Sequence, residues 1–313
     1  MKIFLTGGLG YVGSLLTLKL VDEGHQVSVL DAGWFGNNLS NSSRIELIYE
    51  DVRNFSGSLK GFDVVIHLAN IANDPGVELN QTLSWEVNVL ATYQLLERAI
   101  RDNVKSFIYA SSGSVYGVSE KEKVDETTEL IPLSAYNKTK MIAEQVLLAS
   151  KDRIKVFNIR PATICGFSPR MRLDLAVNML TFQALTKGEI TILGGKQFRP
   201  NIHIDDMVEV YLHFVNHFQT LDSGNYNAGF ENLTIEEIAE IIRAEIPSKV
   251  IYRESNDNRS YRLDSSKLLK SGFAPAKGIR DAITELKSKY ENGQLVAKDE
   301  WLTVQTMKNL GLG

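Results

Sequence analysis

The sequence predicts an α/β protein: a doubly wound parallel sheet with a smaller, interwoven C-terminal lobe. Three observations carry that prediction. The chain opens on a short apolar run, a glycine-rich turn and an apolar helical stripe, "KIFLTGGLGYVGSLLTLKL". Short apolar runs then alternate with helical patterns to about residue 165. The length, 313 residues at 43% hydrophobic and 23% charged, suits one large domain, or one domain with a smaller lobe.

The opening segment sets the frame. Ile3, Phe4 and Leu5 form a strand-like run, and the turn Thr6-Gly7-Gly8-Leu9-Gly10-Tyr11-Val12-Gly13 follows directly. Leu15, Leu16, Leu18, Leu20 and Val21 give a helical stripe that Gly24 ends, and "QVSVLD" is the next strand. This is the Rossmann-type context of a dinucleotide site. Gly7 and Gly10 permit a tight turn and close approach of backbone to a pyrophosphate. Gly13 permits close packing of helix on strand, and the helix N-terminus offers unpaired N–H groups to the phosphates. Asp31, at the end of the second strand, can accept hydrogen bonds from the adenosine ribose and repels a 2′-phosphate. No arginine follows it in "DAGWFGNN", so NAD is expected rather than NADP. The plain alternative is that the glycines only turn the chain and Asp31 caps a helix.

The remaining elements follow in order. "IELIYEDV" is a third strand, with Asp51 placed where an acid could meet the adenine edge. "DVVIHLAN" is a fourth, buried on both faces. "TLSWEVNVLATYQLLERAIRDN" is a helix, "KSFIYASSGSVYG" a fifth strand with its loop, "SAYNKTKMIAEQVLLAS" a helix and "IKVFNIRPATICG" a sixth strand. Ligands of such sheets bind at the carboxyl ends of the strands.

In "SAYNKTK", Tyr136 and Lys140 stand four residues apart and share one helical face. A free tyrosine has a pKa near 10 and is a poor base at neutral pH. Bringing it near 7 takes roughly 4 kcal/mol, which a lysine ammonium and the positive nicotinamide ring can supply in a partly dry site. A solvent-facing helix surface is the alternative reading of the spacing alone.

Composition excludes several classes. Net charge is −4 with no long run of like charge, so nucleic acid is not an expected partner. No apolar run is long enough to span a bilayer, and the opening lacks the apolar region of a signal peptide. The single Cys165 allows no internal disulfide and fits a reducing cytoplasm. Five histidines and one cysteine make no metal-ligand spacing.

The motifs "TGGLGYVG", "HLAN", "SSGSVYG", the Tyr-x-x-x-Lys of "SAYNKTK", "RPATICG" and "NIHIDDM" resemble, in order, those of the extended short-chain dehydrogenase/reductases. More narrowly, the chain is similar to the nucleotide-sugar epimerases and dehydratases, from residue 1 to about 285. The stretch "RPATICGFSPRMRLDLAVN" looks closest to a branch holding 4-epimerases and GDP-heptose C4 dehydrogenases. The resemblance implies NAD contacts at Gly7, Gly10, Tyr11, Val12, Asp31, Asp51, Val52, Leu68, Ala69, Tyr136 and Lys140. It makes Ser112 the hydroxyl that aligns the reacting oxygen with Tyr136, with Ser111 and Ser114 as turn-capping neighbours. It also implies a nucleotide-diphosphate sugar as substrate. Arg199 matches the arginine that grips the diphosphate, Arg259 in "NDNRSYRLDSSKL" fits a second phosphate contact, and Asn178 is a looser candidate for the diphosphate or sugar.

Departures matter as well. Pro200 stands where the family has aspartate, and Thr163 where it has asparagine. After Ser112 the resembling dehydratases carry Asp-Glu, whereas this chain has Gly113 and Ser114. An elimination needs a second proton-transfer group, which that loop lacks. That leaves oxidation at C4, for which Ser112, Tyr136 and Lys140 serve an epimerase and a dehydrogenase alike. The family's commoner reaction makes a C4 epimerase the expectation, and the branch resemblance makes a C4 dehydrogenase or ketoreductase of net NADH turnover the alternative. Arg170 and Arg172 could also meet the diphosphate or be solvated loop charges. Cys165, His67 and His203 read as structural. Asp74 reads as a turn residue before Pro75, whereas the resemblance would have it face the site. Residues 1–165 are expected to bind NAD, with 200–230 returning to that part. Residues 166–199 and 231–313 are expected to form the substrate lobe, and helices near 81–102 and 134–150 to pair in a homodimer.

Overall fold

The computed structural model describes residues 1–119, 121–254 and 260–313. Twelve strands and eleven α-helices alternate along it. The strands are β1 (Lys2–Thr6), β2 (Gln26–Asp31), β3 (Ile45–Tyr49), β4 (Val64–His67), β5 (Ser106–Ala110), β6 (Lys155–Pro161), β7 (Thr163–Cys165), β8 (Glu189–Leu193), β9 (Phe198–His203), β10 (Gly224–Ala228), β11 (Glu231–Thr234) and β12 (Lys249–Arg253). The helices are α1 (Tyr11–Asp22), α2 (Asp74–Leu79), α3 (Gln81–Trp85), α4 (Thr92–Arg101), α5 (Ala135–Leu148), α6 (Ala176–Lys187), α7 (Ile204–His217), α8 (Ile235–Glu245), α9 (Ser266–Lys270), α10 (Ile279–Glu291) and α11 (Thr303–Asn309).

Seven strands form one sheet in the order β10-β6-β5-β4-β1-β2-β3, every neighbouring pair parallel. Alternation along β1 explains its two covered faces. Ile3 and Leu5 pack in one cluster with Leu16 of α1 and Phe214 of α7. Phe4 packs in another with Leu96 of α4 and Leu147 of α5. The strand order reverses beside β1, and crevices open at such switch points beyond the strand ends.

A small sheet, β11-β9-β7, and a β12-β8 pair are built from strands that follow β6 in the chain. Their apolar residues meet α6, α8 and α10 in a separate cluster that includes Ile190, Ile238 and Ile283. Between β9 and β11 the chain returns to the large sheet through β10, which pairs in register with β6 from Gly224 opposite Phe157 to Ala228 opposite Pro161.

The long helix expected after β4 is divided. Glu86–Ala91 winds as a π-helix between α3 and α4. Within it, the buried Asn88 accepts from the Ile71 N–H at 2.8 Å and donates to Ile71 O and Thr139 Oγ1. Such a widened turn is a common feature of functional regions, and here it ties the loop after β4 to α5.

Candidate active site

The turn between β1 and α1 is as tight as its glycines allow. Gly7 has φ +75°, and a Cβ there would lie 2.6 Å from the Ala69 nitrogen. At Gly13 a Cβ would lie 2.1 Å from Gly7 O. Gly10 caps α1 without any side chain, which leaves the helix N-terminus open to an anion. Asp31 fixes the turn to the end of β2: it accepts from Leu9 N at 3.0 Å and Gly33 N at 2.8 Å. Burial raises its pKa, against those two hydrogen bonds.

One cavity of about 780 Å³ opens here. Gly7, Gly10, Tyr11 and Val12 line it from the turn, Asp31 from β2, Asp51 and Val52 after β3, and Leu68 and Ala69 after β4. Asp51 is anchored by Arg53, whose Nη2 lies 2.9 Å from a carboxylate oxygen and whose Nη1 also reaches Glu86 at 2.6 Å. A bare glycine cradle, an uncapped helix start and a carboxylate at the second strand end suit a dinucleotide with a free ribose 2′-hydroxyl.

Ser112, Tyr136 and Lys140 line the same cavity. Ser134 caps α5, accepting from Asn137 N at 3.2 Å, and this start places Tyr136 in the first turn and Lys140 one turn later. Lys140 is 2% exposed. Its Nζ donates to Ala110 O at 2.7 Å and stands 4.9 Å from the Tyr109 ring centroid and 5.8 Å from that of Tyr136. Burial pulls its pKa down to about 7, with the Glu144 carboxylate acting in the opposite direction. Ser112 caps the short 3-10 turn of Gly113–Tyr116. Its Oγ lies 2.7 Å from Ser114 Oγ, which donates to Asn137 Oδ1 at 2.7 Å. Ser114 therefore belongs to a hydrogen-bonded chain behind Ser112. Ser111 instead donates to Glu144.

On the far wall, Arg199 of β9 lines the cavity, with Thr163, Thr191 and Gln197. Arg259 lies outside the described residues. Pro200, buried in β9, stands opposite Asn232 of β11.

Asn178 corrects the sequence reading. It is fully buried and absent from the cavity wall. Its Oδ1 accepts from Gly166 N at 3.0 Å, and its Nδ2 donates to Tyr11 Oη and Arg172 O, both at 3.0 Å. With both amide hydrogens spent, it braces the loop after β7 against Tyr11 rather than meeting a ligand.

Arg170 and Arg172 are not solvated. Arg172 forms a two-pronged ion pair with Asp174 at 2.9 and 2.8 Å, and Asp174 accepts from Asn73 Nδ2 at 2.7 Å. Arg170 is 3% exposed, and its guanidinium carbon lies 3.8 Å from the Phe35 ring centroid. Asp74 opens α2 at the cavity wall. His67 is held between Thr6 Oγ1 at 2.6 Å and Thr92 Oγ1 at 2.8 Å, and burial pulls its pKa to about 3. Sequence reasoning missed Trp34, Phe35 and the C-terminal Leu302, Thr303, Val304 and Met307, all on the cavity wall. The only signal in the tail was apolar Trp301, Val304 and Met307 at three-residue spacing.

A family model described as "NAD dependent epimerase/dehydratase family" matches residues 3–229. The chain belongs to this family. NAD is therefore its cofactor, and the protein is an enzyme of the extended short-chain dehydrogenase/reductase class. A UDP-glucose 4-epimerase of Lactobacillus helveticus is 28% identical over 295 residues, covering 85% of this chain and 89% of the relative. An uncharacterized UDP-glucose epimerase of Bacillus subtilis is 34% identical over 230 residues, 67% of this chain and 71% of the relative. The solved UDP-glucuronic acid 4-epimerase of Bacillus cereus, in complex with UDP-glucuronic acid and NAD, superposes with a TM-score of 0.83 at 26% identity. That match covers 93% of this chain and 99% of the other.

Proposed function

We propose that this protein is an NAD-dependent nucleotide-sugar 4-epimerase. One observation carries the reading: Ser112, Tyr136 and Lys140 share a cavity with the dinucleotide turn, while Gly113 and Ser114 offer no further acid or base. That set suffices to oxidise a hydroxyl and reduce the ketone again, but not to expel water.

Bound NAD would accept the hydride from C4 and later return it. Tyr136 takes the hydroxyl proton as C4 becomes a carbonyl, and gives it back when the opposite face is reduced. Ser112 hydrogen-bonds the reacting oxygen. Lys140 favours the phenolate and holds the nicotinamide ribose. Asp31 binds the adenosine ribose, with Gly7, Gly10, Tyr11, Val12, Asp51, Val52, Leu68 and Ala69 around the rest of the cofactor. Arg199, with Arg259, grips the diphosphate of the sugar nucleotide. Residues 1–165 with 200–230 carry NAD, and the remainder carries the sugar nucleotide. A homodimer would cover Trp85, Leu90 and Tyr93, which are 38%, 52% and 47% exposed along the helices expected to pair. The 4-epimerase names of the relatives support the same reaction.

The test is incubation of purified protein, without added NAD, with UDP-, GDP-, dTDP- and CDP-sugars, followed by NMR and absorbance at 340 nm. A C4 epimer at equilibrium with no lasting absorbance change is expected. Stoichiometric growth of absorbance with a keto-sugar and no epimer would instead make it a C4 dehydrogenase.

A further inference from the structure

Arg170 is a buried cation with an unmet need. No carboxylate lies within ion-pair distance of it among the described residues. Its Nη2 donates to Thr303 Oγ1 at 3.3 Å, while its buried Nε has no hydrogen-bond partner. Its other contact is the face of Phe35, four residues beyond Asp31. A guanidinium taken out of water costs stability unless an anion meets it. Burial is also the main influence drawing its pKa down, to about 9. Arg172 beside it is already neutralised by Asp174. The unfilled charge is thus specific to Arg170, and it faces the cavity that holds Gly7, Gly10 and Asp31.

The C-terminal segment secures this arrangement. Leu173 N donates to Trp301 O at 3.0 Å, and Trp301, 4% exposed, packs with Tyr11, Met171 and Leu295. Further along, Met307 is 1% exposed and packs with Ile71, Val77 and Val87. Residues 299–309 therefore run from the loop that carries Arg170 to the loop after β4. Between these anchors Leu302, Thr303 and Val304 face the cavity.

We propose that Arg170 and the strap of residues 299–309 form a clamp on the diphosphate of NAD, so that the cofactor stays bound between turnovers. The edge of the Arg170 guanidinium that borders the cavity meets a phosphate oxygen, Phe35 and Thr303 hold the guanidinium in place, and the strap must peel away before the dinucleotide leaves. The inference rests on the dinucleotide reading of this cavity and is independent of which sugar is turned over. Slow exchange suits an epimerase, which regenerates NAD in every cycle.

The experiment is stopped-flow displacement of NADH by excess NAD, followed by NADH fluorescence. It is run on the unmodified 313-residue chain, on Arg170→Met, and on a variant ending at Trp301, with circular dichroism to verify folding. UDP and GDP affinities are measured in parallel by calorimetry. Arg170→Met should speed NADH release by at least about tenfold, the smallest effect expected for a lost hydrogen bond to a charged group. The truncation should speed release as well, and nucleoside diphosphate affinity should be unchanged. Unchanged NADH release in a folded Arg170→Met variant would overturn the clamp. So would weakened UDP or GDP binding with NADH release unaltered, because the anion would then be the substrate's. If the truncated protein does not fold, Arg170→Met alone decides. Failure of the wild type to bind NADH at all would sink the dinucleotide reading itself.

Discussion

Glu144 follows Lys140 by one turn of α5 and opposes the effect of burial on its ammonium. The carboxylate is itself held in place: Arg160 reaches its two oxygens at 2.9 and 2.7 Å, and Ser111 donates to one of them. Arg160 in turn donates to Tyr116 Oη at 2.7 Å. The reacting pair thus continues along α5 as a third residue, tied to the strand that follows.

Glu144→Gln should therefore lower the Lys140 pKa further. If the reaction needs the ammonium, activity then fails at lower pH, and the alkaline limb of kcat/KM moves to the acid side. The variant should also lose about 3–5 kcal/mol of stability, because Arg160 is left buried without its partner. pH–rate profiles and urea unfolding check the two effects separately.

Lys140 makes a second prediction, on stability alone. Its folded pKa, about 7, lies below the ordinary 10.5. Between those values the unfolded chain binds a proton that the folded one does not, so stability rises with pH across that window. The penalty is full below about 7. In NAD-free protein, wild type should gain on Lys140→Met by up to roughly 1.4 kcal/mol per pH unit between about 7 and 10.5. Parallel slopes in the two proteins would contradict this.

Tyr136→Phe should reduce turnover by about 10²–10⁴-fold, the range for a lost general acid–base group. NADH binding and nucleotide affinity should persist. Calorimetry alongside the NMR assay separates the two.

Gly13→Ala should abolish tight dinucleotide binding. Its new methyl would stand 2.1 Å from Gly7 O, backbone that can yield only by moving the turn. Loss of NADH fluorescence enhancement in protein that retains its helical circular dichroism is the expected result.

Asn178→Ala should lower Tm and leave the nucleotide-sugar KM unchanged. It strands a buried Gly166 N–H and removes two further hydrogen bonds, each buried group left unsatisfied costing about 1–3 kcal/mol. A raised KM without loss of Tm would restore the ligand role that the structure removes.

The sheet was legible because its evidence is local. Ile3-Phe4-Leu5, the glycine turn and Asp31 lie within one strand–helix–strand unit, and each residue type has a reason to be there. Tyr136 and Lys140 were equally legible, since four residues on a helix fix a shared face. What escaped was non-local. Nothing near Arg170 in sequence says that Phe35 and Thr303 will enclose it, so a diphosphate contact and a solvated loop charge both stayed open for a cation that is buried. Asn178 misled for a different reason: a loose family resemblance suggested a ligand contact, but Gly166, Tyr11 and Arg172 use up its amide.

The late return of the chain to the large sheet has a consequence for synthesis. While the protein is being made, β6 has an open edge until residues 224–228 have emerged, after β7, β8, β9 and α7. An unpaired edge of that kind invites pairing with other chains. The segment leaving β6 at Pro161, with Ala162 and Thr163, is also cavity wall. A ribosome stalled before residue 224 would therefore display a sheet still able to recruit a foreign strand beside an unfinished pocket.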